Sequence, residues 1–416
     1  MYHNIDYWRF FLTVNTFNFC WFETLESAKI RVMKIGIFTD SYLPTPSGVA
    51  VSVETFRRSL EEAGNEVFIF APDFKNYQDK ISNVFRFPSF FLPIRKDAPI
   101  VLPIIDSKFS EIEKIGLDVI HTMHFFTIGS LGQKVAKKIN LPLIHTYHTN
   151  YEEYVKKYIP LFSQLAKKYI IRRSRNYCNS CDLIISPSTS MAKKIKGYGI
   201  TTKIKSLPTG ISKNNYRTYS KAEFCKKYNI RNTGKLLLFV GRLGEEKNLK
   251  FLLKAFEKVQ KKIDSNLVFV GSGPLENVYK KIVEEKKIKD KVFFLGFLPN
   301  KEVYQIYGAC DLFAFPSITE TQGIVIVEAM ARRLVTVAIN KMGPSDIITS
   351  GKDGILTELN LEEYSEALAK VLTDDKLRGK LSEGAKETAK KYNQENITKQ
   401  LLYLYQQAKI IHKQNR

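Results

Sequence analysis

Short apolar runs alternate with longer stretches of helical periodicity from Met33 onward. "KIGIFTD" reads as a buried strand, "GVAVSVETFRRSLEEAG" as a helix ending at Gly64, and "EVFIFAP" as the next strand. Further apolar runs follow at "LDVIHTM", "LPLIHTY" and "CDLIISP". Near residue 208, in "KSLPTGIS", Pro208 and Gly210 break the rhythm, and the pattern then restarts with the strand "KLLLFVGRL" and the helix "NLKFLLKAFEKVQKK". Four more strands are expected at "NLVFVGSGP", "KVFFLGF", "CDLFAFP" and "LVTVAI". Short apolar strands separated by helices predict parallel, doubly wound sheets, here two of them, with ligands at the carboxyl ends of both sets of strands. A last helix, "QENITKQLLYLYQQAKI", has Ile397, Leu401, Leu404 and Tyr405 at helical spacing and is expected to pack back across the boundary.

The expected division is an extension over residues 1–32, a first domain over 33–207, a second over 208–392 and the returning helix over 393–416. The extension is aromatic but broken by Asp6, Arg9, Asn15 and Asn18, which makes it a poor signal peptide. Its simplest reading is an over-reading upstream of a working start at Met33; the alternative is an interfacial anchor. No run of 18 or more uncharged apolar residues predicts a membrane span. Five cysteines spread along 416 residues argue against a disulfide framework. Cys178 and Cys181 form a single C-x-x-C, best read as structural.

The net charge of +22 attracts polyanions, either nucleic acid or an anionic membrane surface, and part of it is lysine-rich composition. No helix-turn-helix, RNP or zinc-finger pattern supports nucleic acid, so no nucleic-acid partner is expected. "SGVAVS" lacks the full G-x-G-x-x-G of a dehydrogenase.

Several loops beyond strand ends carry chemistry. In "VGRLGEEKN", Gly241 permits a tight turn, and Arg242 and Lys247 place two cations beside a helix start, which suits a diphosphate. "VGSGP" brings Gly271 and Gly273, and "GFLPNKEV" brings Phe297, to the same sheet edge. "ETQGIVIVEAMA" places Glu320 in a loop over the crevice and Gly323, Ile324 and Val325 at a helix start with free amide groups. Glu328 lies deeper on that helix, placed to accept hydrogen bonds from a ribose diol or, in the plainer reading, satisfied by backbone.

The last stretch resembles the E-x7-E motif of retaining glycosyltransferases of the GT-B fold, and the other loops match that family in order from Met33 onward. The resemblance implies an α/β GT-B architecture: two Rossmann-like doubly wound domains facing a central cleft, with a C-terminal helix crossing back to the first. It implies that Glu328 holds the ribose of a nucleotide sugar, that Arg242 and Lys247 neutralise the diphosphate, and that Glu320 contacts donor-sugar hydroxyls. The amides of Gly323 to Val325 would bind phosphate and sugar. In "YLPTPSGVAVSV" only Gly48 carries over to the family's glycine loop, because Ser47 stands where a second glycine is usual. In "IHTYHTNYEEY", His148 matches the family histidine of the sugar pocket, with Tyr147, Thr149 and Tyr151 shaping the acceptor side; Asp40 and Tyr42 are further acceptor candidates. No glycosidase-like acid pair is evident, and the resemblance implies a front-face reaction in which the departing phosphate takes the acceptor proton. No D-x-D cation motif stands at a suitable strand end. No metal site and no obligatory cofactor are expected, magnesium acting at most as a stimulant.

Two segments bear on the acceptor. Residues 85–103, "FRFPSFFLPIRKDAPIVLP", read as a proline-held irregular loop exposing aromatics, with Phe90 and Phe91 as membrane contacts. Residues 156–175, "KKYIPLFSQLAKKYIIRRSR", carry seven basic residues and no acidic one, and read as a basic amphipathic helix with Lys167, Lys168, Arg172 and Arg173 at an anionic surface. "FTDSYLPTPSGVAVS", "HTYHTNYEEYV" and "ETQGIVIVEAMA" are most similar to the bacterial 1,2-diacylglycerol 3-glucosyltransferases. That resemblance implies transfer of glucose from UDP-glucose to diacylglycerol, with anionic membrane lipids as partners, by a cytoplasmic enzyme held peripherally on the inner face of the plasma membrane. Phosphatidylinositol mannosyltransferases and transferases with soluble acceptors stay open as alternatives, as does the oligomeric state.

Overall fold

The computed structural model describes residues 32–45, 47–92, 95–101, 106–158, 163–211 and 217–415. The extension, and with it the anchor alternative, lies outside the described residues apart from Val32. The first sheet contains β1 (Lys34–Phe38), β2 (Glu66–Pro72) and β3 (Val84–Phe87). A separate antiparallel hairpin pairs β4 (Ser89–Leu92) with β5 (Arg95–Val101). The first sheet resumes with β6 (Val119–Thr122), β7 (Leu143–Thr146), β8 (Leu183–Ser186) and β9 (Ile204–Ser206), in the parallel order β3-β2-β1-β6-β7-β8-β9. The second sheet holds β10 (Lys235–Val240), β11 (Ser265–Val270), β12 (Val292–Phe294), β13 (Leu312–Phe315), β14 (Thr336–Ile339) and β15 (Ile355–Thr357), in the order β12-β11-β10-β13-β14-β15.

The central strands β6, β7, β8, β13 and β14 are buried at every position. Helices cover both faces of such sheets, so a near-continuous apolar run suits them and alternation does not. Strand order reverses beside β1 in the first sheet and beside β10 in the second, and such switch points open a crevice at the carboxyl ends of the strands. The loops after β1, β6, β10 and β13 are the ones carrying Asp40, His124, Arg242 with Lys247, and Glu320.

The terminal helix, Gln394–Gln414, packs on the first domain as its spacing predicts. Ile397, Leu401, Leu404, Tyr405 and Ala408 are buried in one cluster with Ile35, Val53, Phe56 and Leu60. Tyr405 Oη lies 2.8 Å from His121 Nδ1, and His121 Nε2 lies 2.6 Å from Thr146 Oγ1, so one buried imidazole joins the returning helix to two strands.

Two segments differ from their expected form. The described residues between 85 and 101 are not an irregular loop but lie mostly in strands. Phe85 and Phe87 belong to edge strand β3, where Phe87 is buried and Phe85 stacks on Phe70 at 5.1 Å. Pro88 falls between strands and Pro99 lies in the hairpin; both positions escape the demand for ladder donors on both sides of a strand. The described parts of residues 156–175 belong to two helices, Tyr151–Tyr158 and Ser163–Cys178, and the stretch between them, with Pro160, lies outside the described residues. Cys178 and Cys181 are free and buried, and burial pushes both thiols up.

Replacing Tyr405 with phenylalanine leaves the volume but removes the partner of His121 Nδ1 in the core, while Thr146 still holds Nε2. The expected loss is about 1–3 kcal/mol of stability, the cost of orphaning one buried polar group, read as a lower urea midpoint with an unchanged far-ultraviolet spectrum.

Candidate active site in the cleft

The second-domain wall is built by two stitched loops. Ser317 Oγ and Thr319 Oγ1 donate to the Glu246 carbonyl at 3.1 and 3.4 Å, and Asn248 Nδ2 reaches the Pro316 carbonyl at 3.4 Å. This brings Lys247 against Glu320 as an ion pair with both side chains largely buried, and places Lys247 Nζ 5.8 Å from the centre of the Phe315 ring. Arg242 lies half-buried in the same loop. Gly271, at φ +126°, packs so closely that an added Cβ would sit 2.1 Å from the Gly241 carbonyl oxygen. Gly273 likewise abuts the backbone of Leu243. These glycines are therefore required first by loop-on-loop packing.

Gly323 is left-handed at φ +87° and directs the chain into helix Ile324–Ala331, whose first amides lack intrahelical partners. Four residues into that helix, Glu328 accepts from Tyr304 Oη at 3.2 Å and Tyr307 Oη at 3.0 Å. Its partners are phenols, not the backbone. Burial pushes its carboxyl up to about 7, opposed by those two hydrogen bonds. Phe297, 65% exposed, stands in the loop leading to the tyrosine-bearing helix Asn300–Tyr307.

The first-domain wall is mostly uncharged. Asp40 Oδ1 accepts from Thr127 Oγ1 at 2.5 Å and the Ile128 amide at 2.7 Å, so half of this carboxylate caps helix Thr127–Ile139. Its Oδ2 is buried and accepts no hydrogen bond among the described residues. The Asp40 amide lies 3.2 Å from Nδ1 of His124, a residue the sequence reading missed although it follows β6 at the switch point. His148 Nε2 is also buried and unpartnered among the described residues. Burial, reinforced by His124, pushes the His148 ring down to about 3, so it is neutral at physiological pH. Gly48 begins helix Gly48–Glu62 at an exposed position with open space around it, and Ser47 caps that helix. Thr149 and Tyr151 are half-buried beside His148, Tyr151 in an edge-on cluster with Phe125, Phe126 and Tyr147.

Two of the acceptor candidates face the core. Tyr42 is 1% exposed and donates to Glu54 at 2.8 Å, and Tyr147 is 1% exposed with its hydroxyl 2.9 Å from Ser174 Oγ. Each occupies the core-facing alternative at a strand end, where an apolar ring is best buried and its hydroxyl needs a partner.

The walls meet through contacts that no single motif reveals. Thr321 Oγ1 donates to the His148 carbonyl at 2.8 Å. Gln322 pairs in both directions with Thr209: Thr209 N to Gln322 Oε1, and Gln322 Nε2 to Thr209 O, each 2.8 Å. Thr209 Oγ1 lies 2.6 Å from Ser52 Oγ in the first domain. Asp346 accepts from the Ser190 amide and hydroxyl at 2.8 and 2.9 Å.

The membrane candidates divide. Phe90 is 43% exposed, whereas the side chain of Phe91 lies outside the described residues. Lys167 pairs with Glu152, and Arg173 donates to the Phe125 carbonyl at 3.1 Å and Ser130 Oγ at 3.0 Å, so both are partly committed inside the protein. Lys168 and Arg172 are exposed, beside Leu165 at 69% and Tyr169 at 62% exposure. No helix among the described residues is long and apolar enough to cross a membrane.

Comparison with known proteins agrees with this geometry. The model of "Glycosyltransferase Family 4" matches residues 46–214 and that of "Glycosyl transferases group 1" matches residues 220–388. The alpha-monoglucosyldiacylglycerol synthase of Acholeplasma laidlawii is 31% identical, covering 90% of this chain and 96% of that protein. The synthase of the same name from Streptococcus pneumoniae is 33% identical, covering 78% and 75%. The crystal structure of Anabaena HepE with UDP and glucose superposes with a TM-score of 0.74 at 18% identity, over 89% of this chain and 99% of that one. Two facing parallel sheets with chemistry-bearing loops at both switch points define a GT-B glycosyltransferase. The chain belongs to the family of group 1 and family 4 glycosyltransferases.

The raised carboxyl of Glu328 has a signed consequence. The folded state holds its proton up to about pH 7, while the unfolded chain releases it near the ordinary 4.5. The stabilisation is therefore complete below pH 4.5, falls as pH rises towards 7, and is gone above it. Urea unfolding across this range is expected to show that decline in the native chain and to lose its Glu328 component in Glu328→Gln.

Proposed function

We propose that this chain is a retaining hexosyltransferase that moves glucose from UDP-glucose to the free hydroxyl of 1,2-diacylglycerol at a membrane surface, giving alpha-monoglucosyldiacylglycerol. The observation that carries this reading is the similarity over nearly the full length of a protein named for that product. The exposed Leu165, Tyr169, Lys168 and Arg172 support a membrane-bound acceptor, because a solvated domain face has no need of apolar side chains amid cations. The location that follows is peripheral, on the cytoplasmic face of the plasma membrane.

In this reading the second domain, over residues 208–392, holds the donor. Glu328 accepts from the ribose diol, with the uridine side towards Phe297. Arg242 and Lys247 face the diphosphate together with the amides of Gly323, Ile324 and Val325, while Gly271 and Gly273 let the loops close around it. A donor-sugar hydroxyl exchanges with Lys247 for Glu320, which frees the lysine for phosphate. The first domain, over residues 33–207, presents the acceptor. Gly48 leaves open space facing the donor phosphates, and the unpartnered Nε2 of His148 and Oδ2 of Asp40 are acceptors awaiting hydroxyl donors. Thr149 and Tyr151 border the acceptor side.

The acceptor oxygen bonds to the anomeric carbon as the anomeric carbon–phosphate oxygen bond breaks, on the same face of the sugar. The acceptor proton passes to the departing phosphate oxygen. The chief electrostatic task is to stabilise the diphosphate, which Arg242, Lys247 and the helix start meet with fixed charges and dipoles.

Labelled UDP-glucose with mixed vesicles of diacylglycerol and anionic lipid tests the reading. Label is expected in the lipid phase only with diacylglycerol present. Lys247→Ala is expected to lower kcat by about 10²–10³, the scale for loss of one preorganised charge-stabilising group, and Glu320→Ala to abolish transfer while UDP still binds. Transfer to a soluble sugar with none to diacylglycerol would replace this acceptor.

A further inference from the structure

The first-domain wall holds one histidine that the proposed transfer leaves without a task. His124 stands two residues past β6, and Asp40 stands two residues past β1. Phe38 and Thr122 are register partners, so both residues leave adjacent strands at one height, about 4.8 Å apart across the sheet. β7 pairs on the other side of β6, with His145 opposite Thr122, and brings His148 to the same edge. The backbone is held there, because no room exists for a Cβ at Gly129 beside the His124 carbonyl.

Hydrogen bonds fix which nitrogen of His124 carries the proton. The Asp40 amide always bears its hydrogen and lies 3.2 Å from Nδ1, so Nδ1 is the acceptor. Thr39 Oγ1 approaches the same nitrogen at 3.4 Å, but its hydrogen goes to the Ser41 carbonyl at 2.9 Å. The neutral ring therefore bears its proton on Nε2. Burial pushes the ring down against the opposing charge of Asp40, and a proton on Nδ1 would cost the amide bond. His124 is thus a fixed N–H donor. Its Nε2 makes no hydrogen bond among the described residues and, unlike Nε2 of His145 and of His148, is not sealed from solvent.

Asp40 offers the complement. Its Oδ1 is held by Thr127 Oγ1 at 2.5 Å and the Ile128 amide at 2.7 Å, which fixes the carboxylate plane and the direction of the buried, unpartnered Oδ2. One preset acceptor therefore stands beside one preset donor. An isolated alcohol on Asp40 leaves the N–H of His124 to water. A group that only accepts hydrogen bonds satisfies that N–H, and a diacylglycerol carries such groups in the ester carbonyls beside its single hydroxyl.

We propose that Asp40 and His124 together seat an acceptor bearing an alcohol close to an ester, with the hydroxyl on Asp40 Oδ2 and an ester carbonyl on His124 Nε2, which makes His124 the residue that selects acylated acceptors. The inference rests on the diacylglycerol reading and adds to it the group that recognises the ester. Asp40 holds the hydroxyl until the departing phosphate takes its proton, so the path of that proton is unchanged.

The full chain is assayed with labelled UDP-glucose and two monomeric acceptors. One is 1,2-dihexanoylglycerol; the other is 1,2-di-O-hexylglycerol, a diether that keeps the hydroxyl and the chains but lacks both carbonyls. The native chain is expected to favour the ester in kcat/KM by about tenfold, the scale of one neutral hydrogen bond, through a lower KM for the acceptor. His124→Asn keeps an oxygen for the Asp40 amide but has no N–H at the Nε2 position. Its ester preference should fall to about one while the KM for UDP-glucose stays. His124→Gln sets an amide N–H near the Nε2 position and should keep part of the preference. The ratio is taken within one variant, so an unfolded fraction cancels. A native ratio near one would overturn the inference and leave diacylglycerol transfer standing. A full ester preference in His124→Asn, with both acceptors slowed alike, would reduce the ring to a brace for the Asp40 loop and overturn it equally. Transfer to neither lipid by the native chain would overturn the diacylglycerol reading and this inference with it.

Discussion

The two chain crossings between the domains are hydrogen-bonded to each other, and the rest of the molecule depends on that pairing. The Ile211 amide donates to the Tyr392 carbonyl at 2.8 Å, and the Gln394 amide donates to the Ile211 carbonyl at 3.0 Å. Gly210 permits the approach: an added Cβ there would lie 2.9 Å from Gln394 Cα. One crossing carries the chain out of the first domain and the other returns it, so their union fixes where the terminal helix begins and which face of the first sheet it covers. The Gln394 side chain then bonds Ser59 at 2.9 Å inside the first domain. Residue 209, one step before Gly210, is held by Gln322 and meets Ser52, so the hinge, the loop of Glu320 and the first-domain helix share one network.

That network sets the cleft. A GT-B site is assembled from two bodies, and a displacement of about 1 Å can cost 10²-fold in rate where reacting groups must be prealigned. The Gln322–Thr209 pair and the Thr321–His148 contact come from residues adjacent to Glu320, so the loop that bears the acid also registers the domains. In this arrangement the contacts that join the domains and the placement of Glu320 belong to one loop.

Sheets were legible in the sequence because strands covered on both faces read as unbroken apolar runs. β9, "IKS", and β15, "ILT", were not, being three residues long and only partly buried at the sheet margins. β3 was lost among prolines that an edge strand tolerates and a central strand does not. In the site, "VGRLGEEKN" and "ETQGIVIVEAMA" were readable because each is a contiguous loop and helix start. The tyrosines of Glu328 lie 24 and 21 residues away and Thr209 lies 113 residues from Gln322, so no local spacing announces either contact. Tyr147 and His148 show the finer limit. They are neighbours at one strand end, yet one ring fills the core and the other leaves a nitrogen unpartnered at the domain junction; that choice belongs to the packing of Phe125 and Ser174.

The two walls also divide charge. His124 and His148 in the first-domain wall, and His121 and His145 in the strands β6 and β7 behind it, all have their rings held neutral by burial, so the wall gathers imidazoles without gathering cations. A protonated imidazole in that wall would be a buried unpaired charge, far costlier than a buried neutral ring. In the proposed reading cations stand instead where the donor anion is expected, Arg242 and Lys247 in the second-domain loop after β10. A chain of net charge +22 thus keeps the imidazoles of this wall neutral, which suits the proposed reading, in which one substrate is a diphosphate and the other a neutral hydroxyl.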